Sequence, residues 1–336
     1  MNIPVVVHTK IARGWLVLVA GFSAMLLTVM FAADCQAADM RQKRFATPEQ
    51  AAQALVEASR SDDLKGIQAI LGPGSRELIT SGDGVADNAG RERFVAAYEQ
   101  KHSLVAKNPT TMILHTGADS WSLPIPIVKR KNGWSFDVGK GKKEILNRRI
   151  GRNELQVIEV LDAYVDAQQE YASKDCRGAG KVEFAQRIIS TPGTHDGLYW
   201  EAGDGEQQSP LGPLLARATK EGYDTRDGYL SPFHGYYFKV LTGQGPNAIG
   251  GTYQYVVKGK MILGFALIAY PAEYGNSGVM TFVVNQEGVI YEKNLGKETR
   301  RLAEAVTLFN PDKGWKKVTR TEPSGQKTTS PAGPKQ

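Results

Sequence analysis

Arg152-Asn153-Glu154-Leu155-Gln156-Val157-Ile158-Glu159-Val160-Leu161-Asp162-Ala163-Tyr164-Val165-Asp166-Ala167-Gln168-Gln169-Glu170-Tyr171-Ala172-Ser173 is the stretch on which the fold turns. Leu155, Ile158, Leu161, Val165 and Gln168 recur at helical spacing, and Val157, Tyr164 and Tyr171 widen the stripe. So wide a stripe predicts a long helix over about 152–173, packed on a sheet. The sheet is expected downstream, where 236–242, 253–257, 263–270, 279–285 and 289–291 read as strands. Asn285 to Gly288 supplies a turn. Residues 184–189 read as a short helix, 195–200 as a loop, 211–223 as including another short helix, and 297–309 as a last helix.

Upstream, Thr47 precedes Pro48 and lies three residues before Gln50, a capping box with proline in the first turn. Ala51, Ala54, Leu55 and Ala58 then form an apolar face. A second helix carries Leu64, Ile67, Ile70 and Leu71 and stops at Gly72-Pro73-Gly74; a third is expected over about 90–102. Residues 111–114, 122–129 and 133–138 read as strands, with Asn132-Gly133 as a hairpin turn. Pro124 and Pro126 mark an edge or a bend. Helices followed by antiparallel strands give an α+β fold class in both halves. The order in the first half resembles small cone-shaped domains of the nuclear-transport-factor-like kind. The expected organisation is a signal peptide at 1–37, an N-terminal α+β domain at 38–147, a C-terminal α+β domain at 148–318 and a disordered polar tail at 319–336.

The first 37 residues have the layout of a secretory signal. Lys10 and Arg13 precede an apolar run from Trp15 to about Ala33, and Cys35-Gln36-Ala37 offers small residues at the cut. The run is about 19 residues, so an uncleaved inner-membrane anchor is the alternative. Asp34 directly before Cys35 suits a lipidation site badly. The expected location is therefore the periplasm or the extracellular space. Loss of Lys10, Arg13 and Asp34 leaves 39 basic and 34 acidic residues, a net charge of +5. That mild, dispersed charge is no nucleic-acid footprint. Of two cysteines Cys35 leaves with the signal, so Cys176 has no intramolecular partner for a disulfide.

The run 155–173, with Ala167-Gln168 before Tyr171-Ala172, resembles the soluble half of the long helix of type IV pilins and pseudopilins. So do Gly235-Tyr236-Tyr237-Phe238, the strand 265–271 and the hairpin 278–291. In pilins the membrane helix directly precedes that helix; here about 100 residues of another domain intervene. A second resemblance covers nearly the whole mature chain. Thr47-Pro48-Glu49, Leu71-Gly72-Pro73-Gly74-Ser75, Arg148-Arg149-Ile150-Gly151-Arg152-Asn153-Glu154, Asp196-Gly197-Leu198-Tyr199-Trp200, Ser209-Pro210-Leu211-Gly212-Pro213, His234-Gly235-Tyr236-Tyr237-Phe238 and Pro271-Ala272-Glu273-Tyr274-Gly275 carry it. They are similar to domain-of-unknown-function family 2950, which occurs in exported bacterial proteins. That resemblance implies export and no particular activity.

Several groups of residues carry usable chemistry. Arg148, Arg149 and Arg152, with Glu154, form either an anion site or a set of ion pairs across the domain junction, with Asn153 capping the helix. His195, Asp196 and His234 could meet as an acid–base set, or each could serve as a structural hydrogen-bonding group. Tyr199, Trp200, Tyr229, Phe233, Tyr236, Tyr237 and Tyr274 lie near loops and strand ends, where aromatic rings make either a binding surface or small cores under the loops. No phosphate loop, dinucleotide fingerprint, His-Glu-x-x-His or Gly-x-Ser-x-Gly is present. No cofactor or metal is expected.

The expected function is non-enzymatic binding of an envelope protein or glycan through the 196–200 and 272–277 loops, with Asp196, Tyr199, Trp200, Glu273 and Tyr274, and with Tyr236 besides. The alternatives are a periplasmic hydrolase using His195, Asp196 and His234, and a structural envelope or biofilm component.

Overall fold

The computed structural model describes residues 41–174, 182–203, 205–223 and 232–319. The signal at 1–37, Cys176, Tyr229 and the tail beyond Thr319 lie outside the described residues. Among the described residues no helix is long and apolar enough to cross a membrane.

Helix α1, Pro48–Arg60, starts as its capping box dictates. Thr47 Oγ1 accepts from the Gln50 N–H at 3.2 Å, and Gln50 Oε1 reaches back to the Ala46 N–H at 3.2 Å. Helix α2, Leu64–Leu71, is capped by Asp63 and stopped by Gly72, whose φ of +90° favours glycine. A short α3, Arg76–Ile79, leads to α4, Gly84–Gln100. The third helix thus begins six residues before the sequence pattern suggests, because Asp83 caps it. Strands β1 His102–Asn108, β2 Thr111–Thr116, β3 Trp121–Ser122, β4 Ile127–Arg130 and β5 Gly133–Phe136 then form an antiparallel sheet of order β1-β2-β4-β5, with β3 on β2. The expected strand 122–129 is broken between β3 and β4, where Pro124 and Pro126 lack a ladder N–H.

Helix α5, Val138–Ser173, is 36 residues and about 54 Å long. It starts 14 residues before the expected Arg152 and runs unbroken past 147/148. Its first part covers the N-terminal core around Leu55, Ile67, Leu114, Ile127 and Phe136. Its second part buries Val157, Leu161, Tyr164, Gln168 and Tyr171 in the C-terminal core. Of the expected stripe, Leu161, Val165 and Gln168 and the flanking Val157, Tyr164 and Tyr171 are buried and Ile158 is partly so; Leu155 alone points to solvent, 66% exposed.

Strands β6 Arg187–Ile189 and β7 Gly197–Tyr199 pair in parallel, where the sequence suggested a helix and a loop. Buried Gln168 explains the first difference. Its amide donates to the Ala185 carbonyl at 2.8 Å and accepts from the Ala185 N–H at 2.9 Å, so that residue is bonded as in a sheet. Helix α6, Gly212–Lys220, follows. Then come β8 Tyr236–Leu241, β9 Gly243–Gln244, β10 Tyr253–Gln254, β11 Val256–Val257, β12 Lys260–Met261, β13 Ala266–Pro271, β14 Thr281–Asn285 and β15 Tyr291–Lys293. The last expected helix shortens to a 3₁₀ turn, Gly296–Glu298, and α7, Thr299–Ala305. Phe309 leaves the helical path to bury itself on β16, Leu308–Phe309, parallel to β9. Strand β17, Lys316–Lys317, closes an antiparallel sheet of order β17-β15-β14-β13-β8. Tyr164 of α5 donates to the Ala266 carbonyl of this sheet at 3.3 Å. The fold class is α+β, as the sequence predicts.

Candidate functional site

Two sets of buried polar contacts clamp α5 and α4 to the C-terminal half. Arg149 Nη1 donates to the Glu77 carbonyl (2.7 Å) and to Asn276 Oδ1 (2.6 Å), and Nη2 donates to the Leu78 carbonyl (2.8 Å). Asn153 does not cap a helix; it is buried at mid-helix and donates to the Ser277 carbonyl at 2.9 Å. Glu154 Oε1 accepts the Val279 and Met280 N–H groups, both at 2.9 Å, and the Tyr236 hydroxyl at 3.4 Å. Glu273 Oε2 accepts from Asn276 Nδ2 at 2.8 Å, and Tyr274 is half-buried in the same loop. The second set centres on Asp83. Its Oδ1 caps α4 through the Ala86 N–H (3.0 Å), while Oδ2 accepts from the Tyr223 hydroxyl and the Gly235 N–H, both at 2.8 Å. Tyr236 itself is fully buried in the C-terminal core.

These clamps leave a cavity of about 620 Å³ inside the N-terminal half, between its core and the facing sides of α4 and α5. Leu55, Ile67, Leu123, Ile125, Phe94 and Ile145 give it apolar walls. The apolar face of α4 borders this space, which is why α4 has no fully buried residue. Five arginines also line the cavity. Arg91 lies 2.7 Å from Asp62, without hydrogen-bond alignment. Arg148 pairs with Glu144 at 2.7 Å and stands 6.0 Å from the ring centre of Trp121. Arg149 is spent on the carbonyls already described.

Arg93 and Arg152 differ from the other three: among the described residues neither has an ion pair or a hydrogen bond. Arg93 is exposed, and so is Arg152. Even so, desolvation by the surrounding walls, and next the charge of Arg93, hold its guanidinium below the ordinary value. Among the described residues that line it, the single carboxyl is Asp87. Burial raises it above its ordinary value, against the opposing Ser81 N–H at 2.7 Å and the charge of Arg149. Chemically, guanidinium groups without a partner can take an anion, and apolar walls can take an apolar body.

A family model described as "Protein of unknown function (DUF2950)" matches residues 42–318. The chain belongs to this family. No curated protein and no solved structure matches it. The DUF2950 match contains both cores, the clamps and every residue that lines the cavity.

Within this DUF2950 chain the remaining sequence candidates lie elsewhere. Asp196 is tied into a turn: it accepts from the Thr191 N–H (2.7 Å), the Thr191 hydroxyl (2.9 Å) and the Thr194 hydroxyl (2.8 Å). Despite some burial, these bonds and then Arg187 hold its carboxyl below the ordinary value. Trp200 is buried, donates to the Gln207 carbonyl at 2.9 Å and stacks on His195 at 4.2 Å. Tyr199 is half-buried.

The two histidines do not meet. The His195 carbonyl accepts from Tyr171 near the end of α5, whereas Gly235, next to His234, abuts Asn153. Those two helical positions are 18 residues, or about 27 Å, apart. Sequence reasoning found Arg152 but missed Arg93, Asp87 and Asp83. The signal for Arg93 was its position beside Phe94 on the helix face; that for Asp83 was the Asp83-Gly84 start.

His234 is buried against Tyr223 and Phe233, with the charges of Arg217 and Arg152 nearby. Burial first, and then those arginines, pull it down to about 4. Glu221, 3.8 Å away and partly in solvent, does not offset this. Between about 6.5 and 4 the unfolded chain takes up a proton that the folded chain refuses. Stability is therefore full above that window and falls through it on acidification, by up to about 3 kcal/mol. His234→Asn tolerates the φ of +51° at this position. Urea unfolding at pH 7 and pH 4.5 is expected to show a smaller loss for His234→Asn than for the native chain. An equal loss would reject the assignment.

Proposed function

We propose that the chain is an exported envelope protein that acts by binding, and that its ligand is an organic anion with an apolar body, held in the N-terminal cavity. One observation carries this reading: Arg93 and Arg152 share an apolar-walled cavity with no carboxylate spent on either. Both side chains are exposed at the rim of this cavity, yet among the described residues neither is used in an ion pair, the usual surface role of arginine, so both guanidinium groups are free to meet a ligand there. The volume falls within the range of about 300–1,000 Å³ common for small-molecule sites. The reading places binding here rather than in the 196–200 and 272–277 loops, where Asp196, Trp200, Glu273, Asn276 and Ser277 are hydrogen-bonded within the fold. Export rests on the sequence pattern at 1–37. We also propose a nuclear-transport-factor-like first half, from element order, and a pilin-like second half, from the residues at 155–173, 235–238, 265–271 and 278–291.

Calorimetric titration with decanoate and decanol tests it. Decanoate is expected to bind, decanol much more weakly. Arg93→Gln/Arg152→Gln should weaken decanoate by about 100-fold, since hydrogen bonds to charged groups are each worth about 1.5–3 kcal/mol. Trp121 lines the cavity and is 44% exposed, so its fluorescence should report the same binding. Equal decanoate affinity for the double variant and the native chain would sink the proposal.

A further inference from the structure

The binding reading leaves one cavity group unexplained. Asp87 places a carboxyl among guanidinium groups, where it opposes a bare anion. Ser81 engages it through its N–H, 2.7 Å from Oδ2, and through its hydroxyl. A carboxylate offers about four acceptor positions, so about two remain. Arg149, the cation whose charge acts on Asp87, has committed Nη1 and Nη2 to the Glu77 and Leu78 carbonyls and to Asn276. One turn along α4, Gly90 keeps the way clear between Asp87 and Arg93. The nearest atom to where a Cβ would stand there is Arg93 Nη2, 3.9 Å off. Asp87, Gly90 and Arg93 thus line the cavity in succession along about 9 Å of helix.

Resting on the binding reading above, we infer that Asp87 is a specificity residue. It selects ligands that carry a hydrogen-bond donor, a hydroxyl or an ammonium, a few bonds from the acid group held by Arg93 and Arg152. A donor satisfies the open acceptor positions of Asp87. A plain acid leaves them unpaired and sets one negative charge against another, the condition under which polar sites discriminate most strongly. The aliphatic remainder of the ligand lies along Phe94, Leu123 and Ile125.

The test is calorimetric titration of the full chain with decanoate, 3-hydroxydecanoate and 3-aminodecanoate. The native chain is expected to prefer at least one donor-bearing ligand over decanoate by about 10- to 100-fold. Hydroxyl and ammonium are separated by which of the two binds more tightly. Asp87→Asn keeps an acceptor for the Ser81 N–H, so its melting temperature should stay close to native. It should bind decanoate more tightly than the native chain does and lose most of the preference. Asp87→Ser provides a second variant if the first unfolds. An unchanged preference in the folded variant, or none in the native chain, overturns the role of Asp87 alone, provided that Arg93→Gln/Arg152→Gln weakens binding. If no probe binds the native chain, or that double variant binds all three as tightly as native, the cavity reading falls and this inference falls with it.

Discussion

Asp83→Ala is expected to destabilise the protein by about 3–5 kcal/mol, because it leaves several buried groups unpaired at once. Asp83 is 2% exposed and accepts three hydrogen bonds. The Ala86 N–H loses its cap, worth about 1 kcal/mol by itself. The Gly235 N–H is left in a buried place, and so is the Tyr223 hydroxyl apart from its contact with the His234 N–H at 3.3 Å. Each such group costs about 1–3 kcal/mol to leave without a partner. Asp83→Asn should lie between native and Ala, since its one oxygen cannot serve both Ala86 and the Tyr223–Gly235 pair. The consequence reaches the cavity. Asp83 fixes the start of α4, and α4 carries Asp87, Arg93 and Phe94 into the site. Urea unfolding gives the stability, and amide exchange over 84–94 should rise in the Ala variant before the rest of the chain opens. A loss below about 1 kcal/mol would show that Asp83 is not the clamp described.

The local features were legible in the sequence, whereas the assembled ones were not. The Thr47–Gln50 capping box and the glycine stop at Gly72 depend on neighbours within a few residues, and each is found; the hairpin is found one residue earlier than expected, with Lys131-Asn132 as the turn and Gly133 paired with Arg130. The first half of α5 was hidden for the opposite reason. Gly139, Gly141, Lys140, Lys142 and Lys143 have no apolar stripe, and glycine disfavours helix. The helix forms there through contact with distant chain at Pro124 and Ile125. The rest of the stripe packs as its spacing predicts, with Tyr164 and Gln168 bonded to Ala266 and Ala185, whereas Leu155 at its start lies outside the C-terminal core. The arginines at 148–152 were recognisable as an anion site or a junction, and the structure divides them. Arg149 serves the junction, while Arg152 faces the cavity without a partner among the described residues. No local pattern could show that division, since it depends on α4, whose start Asp83 fixes, and on Asn276, more than a hundred residues along the chain.

Gly141→Ala should cost about 3 kcal/mol, even though alanine is the better helix former. A Cβ at 141 would stand 2.5 Å from the Pro124 carbonyl oxygen, 2.6 Å from its carbon and 2.7 Å from the Ile125 nitrogen. All three are backbone atoms, so no side-chain rotation relieves the contact; helix or chain must move by about 1 Å. Overpacking of this kind costs about 1–3 kcal/mol and occasionally more. The propensity gain of about 1 kcal/mol opposes it and is smaller. Gly151 on the same helix provides the control, because a Cβ there meets nothing within 4 Å. Gly151→Ala should therefore stabilise by up to about 1 kcal/mol, so the two variants differ in sign. The shift has a functional reading as well. Ile125 is a cavity wall, and Ile145, one turn beyond Gly141, is another. Gly141→Ala should thus weaken decanoate binding in the folded protein, while Gly151→Ala leaves it unchanged. If both variants stabilised, the close approach of α5 to 124–125 would not exist in solution, and the cavity geometry built on it would have to be redrawn.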